Sequence, residues 1–240
     1  MALVHVTREG DTAVVAFSRP PLNAFNLELV EELHECLQRL AVEPPPGGLV
    51  LTGEGAAFSA GVDLKEAPSY SDEDRARLVR TINSAITELY GFPAATVAAV
   101  NGHAIGGAFV MMLACDARVA ADTQAKLGLT EVTAGIPYPA AAIGVVNAEI
   151  EPGYRRHLVL SGELIDPPSA LAHGLVDYLV APQELLAKAV ALARARASAP
   201  AYEVVKEQLK REALALMREI VASGTDPLLG PYYWSTRVPR

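Results

Sequence analysis

The chain has 240 residues, enough for one or two domains. It is 51% hydrophobic and 20% charged, which excludes intrinsic disorder. With 20 basic against 28 acidic residues the formal charge is −8. A sequence pI near 5.2 argues against a general nucleic-acid binder, but leaves room for a local basic pocket around one phosphorylated ligand. The two cysteines, Cys36 and Cys115, stand in no zinc spacing and read as core thiols, not as a disulfide framework. The opening MALVHVTREGDTAVV lacks the charged, apolar, small-residue order of a signal peptide. The longest apolar runs, such as residues 94–100, fall far short of the ~20 residues that a membrane helix needs. The expectation is a cytoplasmic protein with neither a nucleic-acid nor a membrane partner.

In chain order, residues 12–17 (TAVVAF) predict a strand, broken by SRPP at 18–21. Asn26 caps a predicted helix ending about residue 41. Its apolar Leu29, Val30, Leu33, Cys36, Leu37 and Leu40 fall on one face, with Glu28, Glu31, Glu32, His34 and Glu35 mainly off it. A PPPGG loop at 44–48 leads to a short buried strand, 49–52, and then to a small, glycine-rich segment, 53–61. Asp72-Glu73-Asp74 opens a second helix running to about residue 90, with Leu78, Val79, Ile82, Ile86 and Leu89 on one face. Residues 94–100 predict a buried strand ending at Asn101-Gly102, and an apolar helix spans 109–114. Short strands follow at 117–120 and 125–129, helices at 151–161 and 168–173, and a strand at 176–180. Beyond Pro182 the pattern is helical, 185–197 and then 201 to about 223. The fold class is therefore α/β, with an alternating core over 1–182 and a C-terminal helical region over 183–240. No internal repeat is visible.

Two segments carry chemical interest. Gly53 to Leu64 (GEGAAFSAGVDL) follows a buried strand and consists of small residues, which let backbone N–H groups approach a ligand. Asn101 to Ala108 (NGHAIGGA) also follows a strand and opens a helix, whose N-terminus offers unpaired N–H donors. Neither has the GxGxxG or GxxxxGK[ST] spacing of a phosphate loop. Each alone reads as a tight turn; together they suggest two N–H donors converging on one oxygen, an oxyanion hole.

The order AFSAGVDL, then AAVNGHAIGGA, then CDARVA resembles the crotonase family, the enoyl-CoA hydratase/isomerase superfamily. SRPPLNAFNLELVEEL, AKLGLTEVTAGIPY and HLVLSGELIDPPSALAHGLVDYLV resemble further stretches of the same family, so the likeness spans roughly residues 3–215. The resemblance implies a crotonase-like spiral of repeated ββα units with a C-terminal helical extension, assembled as a homotrimer or a dimer of trimers. It implies an acyl-CoA thioester as substrate, with coenzyme A part of that substrate and no separate cofactor. Carried over by motif position, the oxyanion donors are the amides of Ala60 and Gly107. The adenine end of coenzyme A lies against the backbone of Phe58, Ser59, Gly61, Val62, Asp63, Leu64 and Lys65. Lys65 is either a phosphate contact or a solvated lysine. Gly106, Val110 and Tyr138 complete the expected substrate contacts. No metal site is expected.

The acid–base residues decide the reaction. Family hydratases hold a water between two glutamates; the position of the first is Val110 here, three residues after Gly107. The second is present as Glu131. One carboxylate suffices to move a proton from C2 of a 3-enoyl thioester to C4, as in the family's single-glutamate isomerases. An apolar wall of Val110, Phe109 and Ile136 is expected to raise the pKa of Glu131. Pro139 stands where dienoyl-CoA isomerases carry an aspartate. Tyr138 resembles the tyrosine segment of methylmalonyl-CoA decarboxylases, although Val62 and Glu131 depart from their pattern; it is a pocket donor or packing. The reading is a Δ3-Δ2 enoyl-CoA isomerase with Glu131 as base. The alternatives are a hydratase or decarboxylase on the same scaffold, or a catalytically weak acyl-CoA binder. His103 reads as a turn-wall residue, and Asp63 and Asp116 as organisers of local backbone. Ser59 is outside any GxSxG nucleophile motif. The aromatic cluster at 231–234 (PYYW) is an interface or a pocket lid.

Overall fold

The computed structural model describes residues 2–229; the aromatic cluster at 231–234 lies outside them. Strand β1 (Val4–Glu9) pairs antiparallel with β2 (Thr12–Phe17). Helix α1 (Leu27–Val42) starts where expected, with the Asn26 side chain accepting the Leu29 N–H at 3.0 Å. Strands β3 (Leu49–Gly53) and β4 (Ala57–Ser59) then lead into α2 (Asp72–Tyr90). The same two-strands-then-helix pass recurs as β5 (Thr96–Val100), β6 (His103–Ile105) and α3 (Gly107–Ala114). A third pass runs through β7 (Ala117–Ala121), β8 (Leu127–Gly128) and α4 (Glu131–Ala134).

The first strand of each pass joins one six-stranded sheet, ordered β1-β2-β3-β5-β7-β10, with β10 at Tyr178–Val180. From β2 onward its pairings are parallel. The second strand of each pass joins a smaller sheet, β4-β6-β8-β9, with β9 (Leu164–Ile165) antiparallel at its edge. Stacked passes of this kind make the α/β spiral of ββα units.

Period-two alternation divides the larger sheet into two buried faces, as parallel sheets require. Val15, Leu49, Leu51, Ala98 and Val100 point into the main core with α1, α2 and α3. Val14, Val50, Val97 and Val119 point the other way, onto α8 (Leu185–Ala197) through Leu185, Ala189, Val190 and Ala193. Between them run α5 (Ala140–Glu149), α6 (Pro152–Ser161) and α7 (Pro167–Ala172). Helix α9 (Tyr202–Ser223) packs on α2 and α5. It is lashed to the start of β7 by Lys206 and Lys210, whose ammonium groups lie 2.8 and 2.7 Å from the two Asp116 oxygens. Asp116 also accepts the Thr96 N–H at 2.9 Å, the backbone role expected of it.

Several elements depart from expectation. The strand expected at 125–129 contracts to Leu127–Gly128, and that at 176–180 to Tyr178–Val180. Strands β1, β4 and β6 and helices α4 and α5 had no predicted counterpart. Helix α5 follows Pro139 without a local cap. Its first amides are capped from far away, Ala140 by Asp226 at 2.7 Å and Ala141 by Asn83 at 2.9 Å.

Candidate active site

Strands β4, β6 and β8 are neighbours, parallel, and end on the same side. The segments leaving their carboxyl ends carry Ala60 to Val62, Gly106-Gly107 and Thr130-Glu131, respectively. These segments line one cavity of about 100 Å³. Its remaining wall is hydrocarbon: Leu78, Val79, Ile82 and Ile86 from α2, Met111 from α3, Ala142 from α5, and the loop residues Ile136, Pro137 and Pro139. Among the described lining residues Glu131 is the sole ionisable one.

The glycines bring the turns together. Gly61 has φ +77, and a Cβ there would collide with the Ile105 carbonyl oxygen while lying 3.3 Å from the Gly107 nitrogen. Gly106 has φ +57, and its absent Cβ leaves room for the Glu131 Oε1, which would otherwise sit 3.2 Å from that carbon. A side chain at either position would push the loops apart.

The backbone hydrogen bonds correct the expected donor pair. The Ala60 N–H already donates to the Leu22 carbonyl at 2.9 Å; it lines the cavity but has no proton to offer a ligand. On either side of Val62, Phe25 N–H donates to Gly61 O at 2.7 Å and Asp63 N–H to Phe25 O at 2.9 Å. These bonds leave the Val62 N–H without an acceptor among the described residues. The Gly107 N–H, first of α3, likewise has none, as helix geometry dictates for a first-turn amide. The Val62 side chain lies 3.8 Å from where a Gly107 Cβ would be. The free amides are thus those of Val62 and Gly107.

The expected coenzyme A contacts are corrected in part: Phe58 and Ser59 have no accessible surface to offer a ligand. Phe58 is fully buried, edge-on to Phe17 with ring centroids 5.3 Å apart. Ser59 is buried, its hydroxyl donating to Asn23 O at 2.6 Å and accepting the Gly61 N–H at 3.1 Å. Asp63 accepts from Arg19 at 2.8 Å and caps the Lys65 and Glu66 amides. Leu64 lines the cavity and Lys65 is exposed. Val110 and Phe109 are packed into the core, behind the cavity surface; of the expected apolar wall, Ile136 alone lines it. Helix α3 turns its one full-length cavity side chain, Met111, toward the site instead. His103 Nδ1 accepts the Lys126 N–H at 3.0 Å, as a turn-wall histidine.

Burial pushes the Glu131 carboxyl up to about 7, partly offset by its own amide, the Tyr138 hydroxyl and the Thr130 amide. The hydrocarbon wall is the physical cause. Glu131 Oε2 and the Tyr138 hydroxyl are both buried, and neither makes a well-formed hydrogen bond. They are close enough to couple electrostatically, since burial and the Glu131 charge both push the Tyr138 hydroxyl up. Tyr138 therefore faces the carboxylate and not the cavity, where a substrate contact was expected. The α2 wall was legible as an apolar face, but nothing in the sequence marked it as cavity lining. Among the described residues no group of His, Cys, Asp and Glu can hold a metal ion, and no helix is long and apolar enough to cross a membrane.

A family model described as enoyl-CoA hydratase/isomerase matches residues 7–225. The probable enoyl-CoA hydratase EchA17 of Mycobacterium tuberculosis is 31% identical over 188 residues, covering 78% of this chain and 72% of that protein. A probable enoyl-CoA hydratase of Bacillus subtilis is 34% identical over 183 residues, covering 75% and 70%. Among solved structures, human mitochondrial Δ3-Δ2-enoyl-CoA isomerase superposes with a TM-score of 0.81 at 27% identity, covering 93% of this chain and 92% of that one. The chain belongs to the enoyl-CoA hydratase/isomerase family, whose members act on acyl-CoA thioesters.

Proposed function

We propose that the protein is a Δ3-Δ2 enoyl-CoA isomerase in which Glu131 is the single base and the Val62 and Gly107 amides form the oxyanion hole. Glu131 Oε1 removes a proton from C2 of a 3-enoyl thioester. The electron pair spreads onto the thioester oxygen, where the two amides hold it, and the C3–C4 double bond becomes C2–C3 as the same proton returns at C4. Each amide is worth about 10²–10³ in rate in comparable sites. A carboxyl group with a pKa near 7 is matched to taking and returning a proton at neutral pH. In this reading coenzyme A lies along the accessible end of that loop, residues 62–65, with Leu64 and Lys65 outermost, and the chain forms a homotrimer or a dimer of trimers.

One observation carries the reading. Glu131 is the sole ionisable side chain among the described cavity residues, and position 110 supplies a valine. Hydration needs a second group to hold and activate water; isomerisation does not. The hydratase names of the two relatives favour the second reading, hydration by Glu131 alone. Paired substrates separate the two. With 3-hexenoyl-CoA the expected product is the 2-enoyl isomer, while crotonyl-CoA stays unhydrated. Efficient hydration of crotonyl-CoA would refute the one-carboxylate argument. Binding of both thioesters without turnover of either would make the protein an acyl-CoA binder.

A further inference from the structure

The end of the described chain is tied down by a buried carboxylate outside the reacting site. After α9 the backbone makes a short 3-10 turn, Pro227–Leu229. Asp226, which opens it, is 3% exposed. Its Oδ2 accepts the Asn83 side-chain amide and the Ala140 N–H, both at 2.7 Å. Its Oδ1 accepts the Leu228 N–H at 2.7 Å. Asn83 completes the clasp by accepting the Ala141 N–H at 2.9 Å. One carboxylate thus joins α2, the start of α5 and the C-terminal turn. A carboxylate at the first turn of α5 also meets the positive end of that helix.

The clasp has a consequence for the cavity. It places Leu228, 3% exposed, on the same wall as Leu78, Ile82, Pro139 and Ala142. The described polar side chains of the lining, Thr130 and Glu131, both leave the end of β8 beside the Gly106-Gly107 turn. Among the described residues the other side chains of the lining can solvate hydrocarbon and offer no partner to a distal hydroxyl or carboxylate, whose burial without one is costly.

We propose that Leu228, held by the Asp226 clasp, is a specificity-determining residue that limits the size of the aliphatic acyl group the cavity accepts. This rests on reading the cavity as the acyl-thioester site. It assigns the substrates to plain hydrocarbon acyl-CoAs and excludes acyl chains ending in a carboxylate.

Calorimetric titration with unreactive saturated thioesters tests the assignment without requiring turnover. The probes are hexanoyl-CoA, decanoyl-CoA and adipoyl-CoA, against the wild-type chain, Leu228→Ala and Leu228→Phe. In Leu228→Ala the affinity ratio of decanoyl- to hexanoyl-CoA is expected to rise about tenfold, and in Leu228→Phe to fall about tenfold, the low end for a methylene-scale change in an apolar pocket. Adipoyl-CoA should bind at least about tenfold more weakly than hexanoyl-CoA to the wild type. Should Leu228→Ala not fold, Leu228→Val carries the same expected direction. An unchanged ratio in folded variants that still bind both linear thioesters would overturn this inference alone. Failure of the wild type to bind any of the three would overturn the acyl-CoA reading of the cavity itself.

Discussion

Replacing Glu131 by glutamine should disable the enzyme and stabilise it. In the folded protein the carboxyl has a pKa of about 7, against 4.5 for an unburied glutamate. At about 1.4 kcal/mol per tenfold change in proton affinity, that gap is worth about 3 kcal/mol. The folded state holds the proton more tightly than the unfolded state. Stability is therefore lost as pH rises from 4.5 to about 7, and the full loss persists above that. Glutamine keeps the shape of the neutral acid and never ionises, so the variant escapes the loss. Its advantage over the wild type should be absent below pH 4.5 and approach about 3 kcal/mol at pH 8, roughly 6–12 °C in Tm for a chain of this size. The same variant should lose at least ~10²-fold of the isomerase rate. Thermal and urea unfolding followed by circular dichroism between pH 4.5 and 8, with a 3-enoyl-CoA assay alongside, measure both effects. A glutamine variant less stable than wild type at pH 8, or equally favoured at both ends of the range, would refute the burial argument. Retained activity would move the base elsewhere.

Two further variants probe the site. The wild-type kcat/KM should rise with pH through a midpoint near 7, because the base works ionised. In Tyr138→Phe that midpoint should move higher, since the hydroxyl supports the ionised form; an unmoved midpoint would show that the two groups do not couple. Gly61→Ala would drive a methyl into the Ile105 carbonyl and spread the loops bearing the Val62 and Gly107 amides. It should cost at least ~10² in kcat with little change in binding, and a rate within about threefold of wild type would rule out those amides as the oxyanion donors.

How much of this was legible in the sequence follows from where each signal resides. Helices α1 and α2 were visible because stripe and start signal are both local: the Asn26 cap for one and the acidic first turn Asp72-Glu73-Asp74 for the other, whose cap in the structure is Ser71, accepting the Asp74 N–H at 3.1 Å. Helix α5 was invisible because its capping groups, Asn83 and Asp226, come from elsewhere in the fold. Strands of three residues such as β4 and β6 are too short to show a period. The threefold ββα pass was therefore expected from family likeness alone. Glu131 was picked out and lies on the cavity. The donor beside Gly107 was misassigned because sequence does not show which amides are already spent. Leu22, far upstream on the segment before α1, supplies the carbonyl that occupies Ala60. The wall around Glu131 was misread for a similar reason: on a helix as apolar as α3, sequence does not show which turn faces the core and which the cavity.

The small sheet also explains why so few residues suffice. Parallel neighbours lie about 4.8 Å apart, and β4, β6 and β8 end side by side. Whatever follows each carboxyl end is therefore presented in a row: the Val62 amide, then the Gly107 amide, then the Glu131 carboxyl. The middle strand sets the Gly106-Gly107 turn between the other two: a Gly61 Cβ would lie 3.3 Å from the Gly107 nitrogen and a Gly106 Cβ 3.2 Å from the Glu131 Oε1, the spacing on which the proposed thioester pose relies. None of this spacing depends on a side chain reaching across open space. It depends on Gly61 and Gly106 adopting positive φ, which lets the strand ends turn sharply and close together. A carboxylate added from α3 would enter from a different layer and would have to displace the packing that now encloses Val110. That Glu131 is the sole ionisable group among the described cavity residues thus follows from the layer each residue occupies, and burial against the apolar wall pushes its carboxyl up toward neutral pH.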